Sequence, residues 1–134
     1  MELDIQSLPL EIHARLGNTA FYYAAIMAIW ALWRIIKKRG VDSNYWGALV
    51  IAEILILVQG AFGAYLYFFT DFKLAREVHA LYGLTSALAL PAAFAFTRGH
   101  QERRDMIIYG AVFFIVAVLT ARALMTAGMM LTFE

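Results

Sequence analysis

The stretch VHALYGLTSALALPAAFAFT, Val78–Thr97, contains no charged side chain. A helix of about 20 apolar residues crosses the hydrocarbon core of a bilayer, which is roughly 30 Å thick. Three further stretches have similar length and composition: 16–33 has no charge, 46–69 has only Glu53, and 106–129 has only Arg122. Because a helix satisfies its own backbone hydrogen bonds in lipid, this pattern predicts four membrane-spanning helices.

The composition of the whole chain excludes several other classes of protein. Its 134 residues are 63% hydrophobic and 16% charged, which is too apolar for an ordinary soluble domain. The chain has no cysteine, so disulfide frameworks, thiolate metal sites and thiol–disulfide relays are excluded. The net charge of +1 gives no support to nucleic-acid binding, and the acidic start MELDIQ does not resemble a cleavable signal peptide. The partner that the composition predicts is the lipid bilayer.

The positive charges predict how the helices are oriented. Seven of the eleven Lys and Arg residues fall in or beside two of the three loops: Arg34, Lys37, Lys38, Arg39, Arg98, Arg103 and Arg104. The positive-inside rule places these loops in the cytoplasm and puts both termini and the loop at Asp71 outside, in the inner or plasma membrane. Gly40 and Gly99 are expected to end the first and third helices. The prediction is an all-α membrane protein, a four-transmembrane-helix antiparallel bundle forming a single domain over 1–134.

The segment around His79 has a near-copy 66 residues earlier. EIHARLGNT at 11–19 aligns with EVHALYGLT at 77–85, with identical Glu, His, Ala, Gly and Thr. These identities indicate a duplicated helical hairpin, with repeat halves at about 8–69 and 74–130. In such a repeat the first and third helices run in the same direction, so that equivalent residues lie at the same depth.

The duplication places His13 and His79 at one level near the outer surface. Two imidazoles on helices that face each other across a bundle suit the two axial positions of one haem iron. Gly17 and Gly83 each lie one helical turn deeper on the same face as their histidine, where a missing side chain leaves room for a porphyrin. We therefore expect His13 and His79 to bind the iron and the two glycines to contact the cofactor. A chlorophyll-type pigment or a quinone is the alternative ligand.

Three polar residues within the apolar stretches add to this hypothesis. Arg122 lies about 27 Å along its helix from Arg104, which is the level of the histidines, and a haem propionate is its expected partner. The alternative is that it extends to the lipid headgroups. The Gln59 amide is expected to contact a cofactor edge, with helix packing as the alternative. Glu53 lies near mid-membrane and suggests a proton relay or a contact with a quinone.

Three glycine-containing motifs follow one another along the chain. The first helix has His-x-x-x-Gly, the second has Gln-Gly-x-x-Gly late in its length, and the third repeats His-x-x-x-Gly. The residues of these motifs are His13, Gly17, Gln59, Gly60, Gly63, His79 and Gly83. Their order resembles one half of the haem A synthase family, whose halves are four-helix bundles with paired histidines. It is also similar to small four-helix b-type cytochromes.

The departures from that family limit what the resemblance implies. The second half of the eight-helix form is absent. Leu10 stands where the family has a glutamate three residues before the first histidine, and there is no cysteine pair in an outer loop. The resemblance therefore implies the haem-holding scaffold and does not extend to haem hydroxylation.

Together, the residues and the resemblance predict a membrane cytochrome with one haem b bound by two histidines. Because protein would fill both axial positions, electron transfer is favoured over catalysis, and no catalytic residue is expected. The predicted partners are other membrane redox proteins or a second copy of the chain. The alternatives are a cofactor-free assembly subunit of a larger membrane complex and a haem-modifying or quinone-linked oxidoreductase.

Overall fold

The computed structural model describes residues 8–69 and 77–132, with side chains described for 8–69 and 78–125. Four helices account for nearly all of this: α1 Leu8–Ile36, α2 Ser43–Phe69, α3 Glu77–Thr97 and α4 Arg103–Thr132. Each of them is long and apolar enough to cross a membrane. The described residues contain no strand. The prediction of an all-α membrane protein with four spanning helices is therefore confirmed.

The helices form a bundle in which neighbours in the chain are neighbours in space. α1 packs against α2 and α4, and α3 packs against the same two helices, so α1 and α3 lie diagonally across the bundle. The loops 37–42 and 98–102 lie together at one end, which we call the loop end. His13 and His79 lie toward the other. The loop at Asp71 and both chain ends, which were predicted to face outside, are outside the described residues.

Dividing each helix near its middle gives two halves of the bundle that differ in content. The loop half comprises residues 23–36, 43–56, 88–97 and 103–114. The histidine half comprises residues 8–22, 57–69, 77–87 and 115–132.

Arg34 connects the first loop to the helices on either side of it. Arg34 is 8% exposed, and its side chain donates to the carbonyl oxygen of Gly40 from Nε at 2.9 Å and from Nη2 at 2.6 Å. Its Nη1 pairs with Oδ2 of Asp42 at 3.0 Å. The other carboxylate oxygen of Asp42 accepts the backbone N–H of Tyr45 at 2.8 Å and so caps the start of α2.

Gly40 is required for a different reason from the one that the sequence suggested. α1 ends at Ile36, and the residue with left-handed backbone after it is Lys38, with φ 57°. A Cβ atom on Gly40 would overlap the carbonyl oxygen of Gln101, which accepts the N–H of Val41 at 3.0 Å. Gly40 thus permits the two loops to touch. Gly99, with φ 72°, follows the end of α3 as expected.

The loop half contains the large buried side chains. Tyr45, Met106, Tyr109 and Phe113 are all 0% exposed. The Tyr45 hydroxyl donates to the carbonyl oxygen of Met27 at 3.1 Å, and the Tyr109 hydroxyl is 3.0 Å from Oγ1 of Thr97. Both buried tyrosine hydroxyl groups therefore have a hydrogen-bond partner, as burial in an apolar core requires.

Candidate functional site

His13 and His79 meet between the helices of the bundle, and both are half-buried. Their ring centroids are 6.0 Å apart and their planes are inclined at 72°. The two residues come from α1 and α3, the diagonal pair, so the rings approach each other across the space between α2 and α4. The expectation that the two histidines lie at one level agrees with this geometry.

Each imidazole is held by a backbone carbonyl of the helix that follows it in the chain. Nδ1 of His13 lies 2.9 Å from the carbonyl oxygen of Gln59 on α2. Nδ1 of His79 lies 3.1 Å from the carbonyl oxygen of Ala123 on α4. A carbonyl oxygen only accepts, so Nδ1 is the donor in both bonds. The two halves of the chain therefore use the same arrangement.

These hydrogen bonds select one tautomer of each ring. In a neutral imidazole whose Nδ1 carries the proton, Nε2 carries the lone pair. A histidine that binds a metal almost always donates its other ring N–H to a carbonyl or carboxylate, which fixes the ring and makes it a better ligand. Both histidines have this supporting bond, and it is supplied by the backbone.

The ring spacing can be compared with that of two ligands on one metal ion. Imidazole nitrogens bind metals at about 2 Å, which would separate two opposite ring centroids by about 6 Å. The observed separation of the ring centroids, 6.0 Å, is close to that value.

Glycine makes room for the first imidazole. A Cβ atom on Gly63 of α2 would lie 2.8 Å from Cε1 of His13, which is closer than two such carbons approach. Gly17 is buried, and a Cβ there would be 3.4 Å from a methyl group of Leu124 and 3.7 Å from Nε2 of Gln59. Gly83 and Gly60 have no such neighbour within 4 Å among the described residues.

The remaining predicted residues lie near the histidines in different ways. Gln59 contributes its backbone carbonyl to His13. The contact of its side-chain amide with a cofactor edge stays a prediction. Arg122 immediately precedes Ala123, the partner of His79, and its side chain is exposed on α4. The structure therefore brings His13, His79, Gln59 and Gly17 together and leaves Arg122 at the edge of the group.

Several buried positions in the histidine half are small or polar. Gly17 is buried, and Ala20, Ser86 and Thr120 are at most 8% exposed. The hydroxyls of Ser86 and Thr120 donate to the preceding turn of their own helices, at 2.8 Å in each case. The buried side chains of this half also include Leu66 and Val116.

Two imidazoles are enough for one kind of metal site. A haem iron takes four nitrogens from the porphyrin and only its remaining ligands from the protein. Within the part of the chain that the structure describes, no group of three or more His, Asp or Glu side chains is placed to bind one ion.

Two contributors to this site were not assigned by the sequence analysis. Ala123 acts through its backbone oxygen, for which no residue type gives a signal. Gly63 was named only among the residues that carry the family resemblance. Aligning the two halves by these hydrogen bonds pairs Gln59 with Ala123, one residue from Arg122.

Comparisons of the chain with protein-family models, with curated proteins and with solved structures gave no match. The function is therefore inferred from the geometry of the site.

Proposed function

We propose that this protein is a b-type membrane cytochrome in which His13 and His79 bind one haem through Nε2. The observation that carries the proposal is the paired geometry: rings 6.0 Å apart, each with Nδ1 bonded to a backbone carbonyl. The resemblance to one half of the haem A synthase family supports the same assignment.

The chain would hold the cofactor in four ways. His13 and His79 would be the axial ligands. The carbonyl oxygens of Gln59 and Ala123 orient them. Gly17 and Gly83 would leave space on α1 and α3 for the porphyrin. Arg122 would pair with a propionate at the edge of the site.

The proposed role is electron transfer. A haem accepts and gives up one electron at its iron, and two protein ligands leave no open position where oxygen or a substrate could bind. The protein would contribute orientation, burial and local charge. Its redox partners would be other membrane redox proteins, or a second copy of the chain within a homo-oligomer.

The proposal extends to orientation. With the loop end in the cytoplasm, as the seven Lys and Arg residues there favour, both termini and the histidine half lie toward the outside of an inner or plasma membrane. Reporter fusions after Glu134 and at Gly40 test this. The first is expected to be translocated and the second to remain in the cytoplasm, and the reverse pattern would contradict the orientation.

The same geometry weighs against a quinone placed between the two rings. A quinone between the rings would need hydrogen-bond donors at Nε2, and the carbonyl partners place the protons on Nδ1.

The test is the visible spectrum of the purified protein and of its histidine variants. Wild type is expected to show a low-spin b-type spectrum. His13→Ala and His79→Ala are each expected to lose the haem or convert it to a high-spin form, because either change removes one axial ligand. His100→Ala is the matched control, since His100 is exposed in the loop beyond α3.

The control variant should retain the wild-type spectrum. If His13→Ala and His79→Ala retained it as well, the ligand assignment would be refuted. A wild-type protein that carries no haem when haem is supplied during expression would instead favour a cofactor-free assembly subunit.

A further inference from the structure

A second feature of the bundle, separate from the histidines, is an apolar cleft between α2 and α3 in the loop half. Its volume is about 310 Å³, within the range of pockets that hold small organic ligands. Trp46 and Phe94 form one wall, with ring centroids 5.5 Å apart. Leu90 is buried at its base, whereas Val50 and Phe94 are more than 40% exposed. The cleft therefore opens on the side of the bundle that would face lipid.

One polar side chain lies in this apolar cleft. Glu53 lines it, and both of its carboxyl oxygens are buried without a hydrogen-bond partner among the described residues. An unsatisfied buried polar group destabilises a fold, and an unpaired charge does so far more. Glu53 is therefore expected to be a neutral carboxyl group with an O–H donor that has no acceptor within the described chain.

Pro91 of α3 also lines the cleft. It lies inside α3 and has no N–H, so the carbonyl oxygen of Ala87 lacks the helical hydrogen bond that residue 91 would normally donate. The cleft thus combines a carboxyl donor from α2 with a weakened segment of helical hydrogen bonding in α3.

These features specify the chemistry of an occupant. An acyl chain would fill the apolar space and leave the Glu53 carboxyl without a partner. A planar ring would lie against Trp46 and Phe94, and a ring oxygen would accept the Glu53 O–H. An apolar tail would extend through the open side into lipid. A membrane quinone has a planar ring, ring oxygens and an apolar tail.

We propose that the cleft formed by Trp46, Glu53, Leu90, Pro91 and Phe94 binds the ring of a membrane quinone, with the Glu53 carboxyl donating to a quinone carbonyl oxygen. Binding here does not require the haem, so the proposal stands apart from the proposed function. If both hold, the ligand lies near the haem site, since Glu53 precedes Gln59 by six residues, about 9 Å along α2.

The experiment measures equilibrium binding of decylubiquinone to the purified protein in phosphatidylcholine nanodiscs. Decylbenzene, which has the tail and a ring without oxygens, is the ligand control. Glu53→Leu keeps the apolar volume and removes the donor, and it is expected to weaken decylubiquinone binding about tenfold while leaving decylbenzene unchanged. Glu53→Gln retains an N–H donor and should keep most of the affinity.

A second variant tests the location. Val50→Trp places a large ring at the mouth of the cleft and is expected to weaken both ligands. An azido analogue of the quinone should crosslink within 46–54 or 90–94. All variants are measured with and without haem, and binding to haem-free His13→Ala protein separates this proposal from the histidine assignment.

Three results would overturn the proposal. One is wild-type affinity for decylubiquinone in Glu53→Leu. Another is equal weakening of decylbenzene in that variant, which would identify the cleft as a lipid-chain groove. The third is crosslinking confined to other segments.

Discussion

The loop half and the histidine half of this bundle are built from the same four helices but are filled differently. In the loop half, Tyr45, Met106, Tyr109 and Phe113 are fully buried, Arg34 holds the first loop, and the carbonyl oxygen of Gln101 connects the second loop to the first by accepting the N–H of Val41. In the histidine half, two half-buried imidazoles lie beside buried Gly17, Ala20 and Ser86, and Leu66 and Val116 are buried there as well. The fully buried aromatic side chains thus lie in the loop half, whereas the histidine half brings two imidazoles together.

This difference indicates that the two halves of the bundle are held together in different ways. Packing of large side chains stabilises the loop half without any cofactor. None of the fully buried side chains that the structure describes in the histidine half is aromatic, and the two imidazoles there are held in place by backbone carbonyls on α2 and α4. The difference between the loop half and the histidine half can be tested by substitutions in one half that leave the other half unchanged.

The largest effect is expected in the loop half. Phe113→Ala removes a fully buried ring, and such truncations typically lower the free energy of unfolding by about 3–5 kcal/mol. Phe114→Ala is the matched control because Phe114 is adjacent in sequence and 64% exposed. Thermal unfolding of both variants in detergent, without haem, should show a large loss for Phe113 and little for Phe114. Equal losses would mean that the loop half is not the packed core.

Two glycine substitutions on α2 test whether the histidine half binds haem. Gly63→Ala places a Cβ atom 2.8 Å from the His13 ring, so that the ring must move. We expect haem affinity to fall about tenfold, corresponding to roughly 1.4 kcal/mol, with little change in the stability of the haem-free protein. Gly60→Ala meets nothing within 4 Å in the described structure and should bind haem like wild type. Haem titration followed by absorbance measures both, and similar affinities would argue against His13 as a ligand.

The smallest effect concerns Arg122 at the edge of the histidine half. If this cation lies near the haem, it disfavours the ferric state, which carries one more positive charge than the ferrous state. Removing the cation makes the ferric state easier to hold, so Arg122→Gln should lower the haem reduction potential. The change should be small because Arg122 is exposed. Arg122→Lys keeps the charge and should fall between the two in a redox titration. Identical potentials in all three proteins would identify Arg122 as a membrane anchor.

The sequence predicted the four helices well because each is defined by a long stretch with few charges. α3 provides the clearest case, since the uncharged segment Val78–Thr97 coincides with a candidate span. The sequence also predicted that His13 and His79 lie close together, because a hairpin repeat places equivalent residues at one depth.

The parts that the sequence did not predict depend on the backbone. The partners of the two histidines are carbonyl oxygens, which every residue has, so nothing distinguishes Gln59 or Ala123 in advance for that role. Gly40 looked like the end of a helix, but its space is taken by Gln101 from a loop 61 residues away. Contacts of this kind follow from how the helices pack and leave no local pattern.

The most direct test of the central proposal is electron paramagnetic resonance of the oxidised wild-type protein, combined with near-infrared magnetic circular dichroism and a haem-to-protein ratio. We predict one haem per chain, entirely low-spin, with the charge-transfer band of two imidazole ligands. A high-spin signal, a band typical of any other axial pair, or two haems per chain would contradict the assignment of His13 and His79 to a single iron.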